Sequence, residues 1–152
     1  MKNLIVIKKT LFLTALLLLL LPATAMKAQD VDVTITGIRS KKGQIVIGVF
    51  KDSESYQKEE PFVSKTFKKN VSPDGGMKVK FSLEPGVYGL CLLDDENGDG
   101  IMKYNFMKMP KEGFGFSDYY FTGVKKPKFD LFKFTLAKGQ QKSIKIRVRY
   151  IL

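Results

Sequence analysis

The sequence predicts an all-β protein folded as a single antiparallel β-sandwich of about seven strands. Three observations lead to this class. Apolar and polar residues alternate with a period of two in several short segments, turn-forming residues separate these segments, and no helical period follows residue 25. A chain of 152 residues is long enough for one core and short for two, so we expect one domain over residues 26–152.

The first 25 residues have the features of a secretory signal peptide. Lysines precede an apolar run at residues 11–21, and the small residues A-T-A at 23–25 follow it. A membrane anchor is the competing interpretation, but a transmembrane helix needs about 20 apolar residues and this run is shorter. We therefore expect cleavage after Ala25, or alternatively before Gln29, and an exported mature protein that is periplasmic or secreted and has no membrane-spanning segment.

The first two predicted strands differ in their pattern. Residues 30–38 alternate between apolar and polar, which predicts one buried face, whereas residues 44–50 are apolar at nearly every position, which predicts burial of both faces. The short turn-forming connection between them predicts a hairpin. The polar residues 51–61 then predict a loop with one helical turn begun by Asp52 or Ser53.

The later strands repeat these two patterns. Residues 62–69 predict a short edge strand, because its lysines would discourage pairing with another chain. Residues 77–83 alternate and predict a half-buried strand, while residues 87–93 have almost no polar side chain and predict a central strand. A short strand or extended segment is predicted at residues 119–124, and the last two strands are predicted at residues 129–136 and 144–152.

The segment L-E-P-G-V-Y at residues 83–88 joins two of these strands. Pro85 fixes φ and Gly86 allows the chain to turn sharply. The segment resembles the L-x-P-G-x-Y corner of immunoglobulin-like and prealbumin-like extracellular sandwiches, in which the tyrosine hydroxyl bonds to backbone upstream. We expect Tyr88 to make this contact and the sandwich to be of the immunoglobulin-like or prealbumin-like kind.

Composition excludes several classes of function. The formal net charge is +11, but the excess is mostly lysine, and an exported chain poor in arginine is a poor candidate for binding nucleic acid. The charge indicates a solvated surface or an anionic partner, and the partner, an envelope or extracellular protein or glycan, stays open. Cys91 is the single cysteine, so the chain has no internal disulfide, and its apolar neighbours predict a small buried side chain.

The acidic loop D-E-N-G-D-G at residues 95–100 fits the opening of a D-x-[DN]-x-[DN]-G calcium loop. In such loops alternate side-chain oxygens point to one centre, and a glycine permits the sharp turn. Asp95, Asn97 and Asp99 would supply side-chain oxygens, and the carbonyl of Ile101 would supply a fourth.

The loop is not an EF-hand, because the twelfth position is Phe106 where an EF-hand has a bidentate glutamate. Ca²⁺ binding would then be weak, with a dissociation constant of about 10⁻⁴ to 10⁻³ M. The alternative is that these residues only form a tight turn. The candidates for a closing ligand are Asp94, Asn105, Glu112 and Asp118.

Three motifs together resemble the exported bacterial family known as domain of unknown function 2141. They are P-G-V-Y at residues 85–88, D-E-N-G-D-G at 95–100 and P-K-E-G-F-G-F-S at 110–117. The resemblance covers nearly the whole mature chain and implies an envelope or secreted all-β domain of unassigned activity, without catalytic residues to carry over. In the family an Asp often follows the acidic loop; residues 101–105 differ here, and Asn105 is the nearest substitute.

The residues needed for catalysis are scarce. The chain has no histidine, and its cysteine has no partner for nucleophilic chemistry. A cluster of aromatic residues either stacks against sugar rings or anchors its loop to the core. Its members are Phe114, Phe116, Tyr119, Tyr120 and Phe121. We therefore expect a non-catalytic binding or scaffolding module, the alternative being a hydrolase of envelope glycans that pairs Glu112 with Asp95 or Asp99.

Overall fold

The computed structural model of the protein describes residues 27–151, so the predicted signal peptide lies outside the described residues. The predicted all-β sandwich is confirmed, with eight strands in two sheets. Among the residues described, no helix has the length and hydropathy needed to cross a bilayer. In chain order the elements are β1 (Gln29–Thr36), β2 (Gln44–Phe50), α1 (Ser53–Lys58), β3 (Val63–Lys68), β4 (Met77–Leu83), β5 (Gly86–Asp95), β6 (Gly113–Phe116), a 3-10 helix (Phe129–Leu131), β7 (Lys133–Leu136) and β8 (Lys142–Arg147).

The two sheets differ in size. The smaller sheet has the order β4-β1-β8, and its β1–β8 pair is parallel, whereas the other strand pairs are antiparallel. The larger sheet has the order β3-β2-β5, and the free edge of β5 is shared: β7 pairs with its first half and β6 with its second half. The strand β5 is therefore the centre of the larger sheet.

The predicted hairpin of the first two strands is wrong, because β1 and β2 lie in different sheets. The connection crosses the end of the sandwich instead of folding back. Gly37 and Gly43 both have positive φ there, and Ile38 between them is buried and donates its amide to the Gly75 carbonyl at 3.1 Å. An apolar residue within a turn-like segment was the sign that this connection enters the core.

Two apolar clusters cover the larger sheet on both faces, which explains the apolar sequences of β2 and β5. The first lies between the sheets and takes buried, alternate residues of every strand except β3 and β6, and the half-buried Val63 and Phe67 of β3 pack against it. The second lies on the outer face of the larger sheet, under α1 and the 3-10 helix. Its buried members are Phe50, Tyr56, Phe114, Phe116, Phe121, Phe129 and Phe132.

Local predictions around β5 and α1 are confirmed. The Tyr88 hydroxyl donates to the carbonyl of Glu84 at 2.9 Å, which forms the predicted tyrosine corner. Asp52 caps α1 by accepting from the Ser55 amide at 2.8 Å. The predicted extended segment at 119–124 is wrong beyond Tyr119, where the backbone is irregular and follows the second apolar cluster.

Candidate cation site

The acidic loop begins where β5 ends, and the last two residues of β5 point to opposite faces of the sheet because side chains alternate along a strand. Asp94 continues the row that faces the core between the sheets, and Asp95 points to the outer face. On the neighbouring strand Gly113 pairs with Asp94, so Glu112, one residue earlier, lies across from Asp95. The sheet register therefore brings Glu112 to the acidic loop.

Asp95 organises the loop through hydrogen bonds, and its side chain is fully buried. Its Oδ1 accepts from the amides of Gly98 at 2.8 Å and Asp99 at 3.2 Å. Its Oδ2 accepts from the amide of Gly100 at 2.8 Å and from the side-chain amide of Gln44 at 2.7 Å. Gly98 and Gly100 adopt positive φ, which aims these amides at one carboxylate.

In the exposed half of the loop, side-chain oxygens also accept hydrogen bonds from backbone amides, here from amides only two residues further along the chain. Asn97 Oδ1 accepts from the Asp99 amide at 2.9 Å, and Asp99 Oδ1 accepts from the Ile101 amide at 3.0 Å. The other oxygen of Asp99 forms an ion pair with Lys103. This pairing lowers the pKa of Asp99 and raises the pKa of Lys103, so the lysine ammonium is the countercharge of Asp99. Glu96 of the same loop pairs with Arg39 at 2.9 Å. The Ile101 carbonyl as a ligand stays a prediction.

Glu112 completes the acidic group and is only 8% exposed. Its Oε2 is buried and has no hydrogen-bond partner within residues 27–151. Burial, followed by repulsion from Asp95 and Asp99, raises the pKa of Glu112 above its ordinary value. A buried carboxylate oxygen without a partner is costly, and Glu112 carries this free acceptor in the same group as Asp95 and Asp99.

The spacing of the three carboxylates fits one Ca²⁺ ion. Asp95, Asp99 and Glu112 each offer an oxygen, and these oxygens lie within 4.8 Å of one another. Calcium binds oxygen at about 2.3–2.6 Å, so two oxygens that share an ion lie at most about 5 Å apart. Three carboxylates around one point also match the preference of Ca²⁺ for hard oxygen ligands.

The structure separates Glu112 from the other three candidates for a closing ligand. Asp94 lies on the opposite face, where it forms a buried ion pair with Lys69 and accepts from the Tyr150 hydroxyl. Asn105 Oδ1 accepts from two amides of its own turn, at 2.9 Å each. Asp118 accepts from the Lys145 amide at 2.8 Å and ties its loop to β8.

Two residues at this site were missed by the sequence analysis. Lys103 lies four residues after Asp99, and this spacing could have indicated an ion pair. Gln44 bonds to Asp95 only because the two residues face each other across the β2–β5 pair. That contact depends on the register of strands far apart in sequence, and the local pattern carries no sign of it.

The aromatic residues and Cys91 contribute to packing. Phe114, Phe116 and Phe121 are buried in the second apolar cluster, while Tyr120 is exposed under the guanidinium of Arg147. The anchoring interpretation therefore describes the three phenylalanines. Cys91 packs against the same cluster, and burial raises the pKa of its thiol.

Comparison with known proteins places the chain in a family. The family model described as "Uncharacterized protein conserved in bacteria (DUF2141)" matches residues 33–145. The matched range runs from β1 into β8 and includes the acidic loop and Glu112. Neither the comparison with curated proteins nor that with solved structures gives a match.

Proposed function

The chain belongs to the family of uncharacterised bacterial proteins DUF2141, and on this premise we propose that it is an exported, non-catalytic β-sandwich whose acidic loop binds Ca²⁺ weakly. Residues 1–25 act as the signal peptide in this proposal, and the mature protein works in the periplasm or outside the cell as a binding or scaffolding module. Its partner is an envelope or extracellular protein or glycan. The cation orders the end of the sandwich where the larger sheet meets the loop.

The observation that carries the proposal is the unpartnered oxygen of Glu112. Turn formation alone accounts for the hydrogen bonds of Asp95 and Asn97, because aspartate and asparagine make such bonds without a metal. It does not account for a third, buried carboxylate with a partnerless oxygen beside Asp95 and Asp99. A bound cation would satisfy that oxygen and relieve the repulsion that raises the pKa of Glu112.

The alternative function for the three carboxylates is glycan hydrolysis, with Glu112 as the general acid and an aspartate as its partner. The burial and bonding of Asp95 favour the cation. Its side chain is fully buried, and both of its oxygens already accept from two donors. A nucleophile or general base must reach substrate with a free lone pair, and Asp95 has neither the access nor the lone pair. In a cation site Asp95 can still contribute its negative charge, while Asp99 and Glu112 supply the directly ligating oxygens. The same variant described below separates these two functions, because a hydrolase would lose turnover of glycan.

Glu112→Gln is the sharpest test of the cation site. In wild-type protein, about 10 mM Ca²⁺ should raise the free energy of unfolding over a chelator control by about 1.4–2.7 kcal/mol, as expected for weak binding. The variant should lose this gain, because a neutral amide is a poorer calcium ligand. Without Ca²⁺ it should be more stable than wild type at pH 7, since the repelled charge is gone. Thermal melts with calcium and with chelator measure both effects.

The sign of the pH dependence gives a second readout of the same variant. The raised pKa of folded Glu112 means that the folded state gains stability as pH falls through that pKa and on to the ordinary pKa of 4.5. The advantage of Glu112→Gln in chelator should therefore vanish at low pH. Ca²⁺ binding to wild type should weaken over the same range, because the protonated acid does not ligate.

The matched control is Glu84→Gln, which makes the same change at an exposed glutamate beside the start of β5, at the end of the strand opposite to the loop. It should keep the full calcium-dependent gain. The proposal is wrong if wild-type protein melts identically in calcium and in chelator, or if both glutamine variants respond to calcium equally. Asp95 is a poorer target, because its replacement also breaks four hydrogen bonds that shape the loop.

A further inference from the structure

A short hairpin follows the acidic loop, and its hydrogen bonds make it an ordered projection. We call residues 103–111 the apical hairpin. The Lys111 amide donates to the Lys103 carbonyl at 2.8 Å, and the Asn105 amide donates to the Met109 carbonyl at 2.9 Å. The Asn105 side chain closes the tip by accepting from Met107 and Met109 amides. The backbone of the tip is therefore fixed without help from the core.

The tip of the apical hairpin presents large apolar side chains to solvent. Phe106 is 93% exposed and Met107 is 61% exposed. Ile101, at the base, is also exposed. The hydrogen-bonded turn holds these side chains away from the sheets. Solvent exposure of a phenylalanine is unfavourable, and a turn with only a structural role does not require it. Contiguous exposed apolar residues of this kind mark interaction sites.

The charged residues of the apical hairpin itself are all of one sign. Residues 101–111 contain three lysines and no acidic residue. Lys108 and Lys111 are exposed on the apical hairpin, and Lys103 at its start is held by Asp99. Apolar side chains at a tip with a collar of lysines are complementary to a surface that is anionic outside and apolar within.

We propose that the apical hairpin docks the protein on an anionic lipid surface. Phe106 and Met107 enter the headgroup region, and the lysine ammonium groups contact lipid phosphates. A protruding tip with nearly complete exposure of its phenylalanine fits a deformable bilayer better than a flat protein face, which could cover only one side of it. The rigid turn means that little conformational entropy is lost on docking.

Vesicle binding tests this proposal, with the mature chain of residues 26–152 and a chelator present so that the result is independent of the cation site. The chain has no tryptophan, so Phe106→Trp introduces a unique fluorophore. Its emission should shift to the blue with phosphatidylglycerol vesicles and not with phosphatidylcholine vesicles. Phe106→Ser should weaken sedimentation with the anionic vesicles by about tenfold or more, and Lys108→Glu with Lys111→Glu should weaken it by a similar factor.

The controls lie at the opposite end of the sandwich, where β5 begins. Val87 is also an exposed apolar residue, so Val87→Ser and Val87→Trp match the two changes at the tip. Lys138→Glu in the β7–β8 turn matches a charge reversal. These variants should bind as wild type does, and the tryptophan at 87 should show no shift. The proposal is overturned if wild type does not sediment with anionic vesicles, if Phe106→Ser sediments equally well, or if the tip captures a protein but no lipid.

Discussion

At the scale of single residues, Gly98 within the acidic loop and Gly43 beside it test how closely the loop and its surroundings are packed. Gly43 and Gly98 both have φ near +75°, at 73° and 78°. A Cβ at Gly43 would lie 1.9 Å from the carbonyl oxygen of Asp95, whereas a Cβ at Gly98 would meet nothing within 4 Å. The two positions therefore differ in their neighbours and share their backbone conformation.

Alanine at each glycine should separate strain from crowding. Gly98→Ala should lower the free energy of unfolding by about 1–2 kcal/mol, the cost of left-handed backbone for an L-residue. Gly43→Ala should lower the free energy of unfolding by a further amount of about 1–3 kcal/mol, because the Asp95 backbone must move. Urea unfolding of both variants measures the difference. Equal costs would mean that the connection yields freely and that its contact with β5 is not tight.

Single-residue features were predictable from the sequence where their cause is local. Tyr88 and Asp52 bond to backbone within four residues, and their motifs predicted both contacts. Glu112 could only be named among four candidates, because what selects it is the pairing of β6 with β5. Asp95 and Glu112 are separated in the sequence by residues that form a hairpin, and the sequence of those residues does not indicate that the chain returns to Asp95.

At the scale of elements, a buried ion pair joins the end of β3 to the end of β5. The side chains of Lys69 and Asp94 are both fully buried, and Lys69 also donates to the Ser40 carbonyl at 3.1 Å. Tyr150 donates its hydroxyl to Asp94, and the guanidinium of Arg39 lies 4.2 Å from the Tyr150 ring centroid. The pair therefore connects an edge strand, the central strand and the C-terminal segment beneath the acidic loop.

Removing one partner of this pair should be far worse than neutralising both. Lys69→Met should lower the free energy of unfolding by about 3–5 kcal/mol, because it leaves the Asp94 charge buried without compensation. Adding Asp94→Asn should restore much of that loss, since the amide still accepts from Tyr150. A double-mutant cycle in urea measures the coupling. Additive losses would show that the two side chains do not act as a pair.

Seven of the eight described strands were predicted, but β6 was not, and residues 129–131 of a predicted strand form a 3-10 helix. The partners of the strands were not predictable. Alternation located β1 and β4, and continuous apolar runs located β2 and β5. Burial of one face or of both faces determines which residues along a strand are apolar. The predicted β1–β2 hairpin failed because a short connection can cross between sheets as readily as it can fold back. Residues 119–124 are rich in aromatic side chains because they pack over a sheet face, and the same composition also predicts a strand.

At the scale of the whole molecule, β5 runs from one end of the sandwich to the other and joins its two recognisable motifs. The tyrosine corner lies at its start, and the acidic loop follows its last residue, Asp95. The apical hairpin then projects from the same end as the acidic loop. A cation at the loop and a lipid surface at the hairpin would thus both act on one end of the molecule, which leaves the opposite end for another partner.

The fold is completed only when the C-terminal strand pairs with the first one. The parallel β1–β8 pair joins residues more than 100 positions apart, and β8 with the residue after it adds Ile144, Ile146 and Val148 to the core between the sheets. Loss of three such side chains costs about 2–4 kcal/mol each. That sum is comparable to the whole stability of a domain, which is about 5–15 kcal/mol.

A chain that ends at Gln141 should therefore fail to fold, although it keeps seven of the eight strands. Near-ultraviolet circular dichroism should lose its tyrosine signal, and heating should show no cooperative transition. The matched control is the chain without residues 1–25, which removes more residues and keeps all eight described strands, and it should melt cooperatively. A cooperative melt of the shortened chain would mean that β4 and β1 cover the larger sheet without β8. The parallel β1–β8 pair would then not be required for folding.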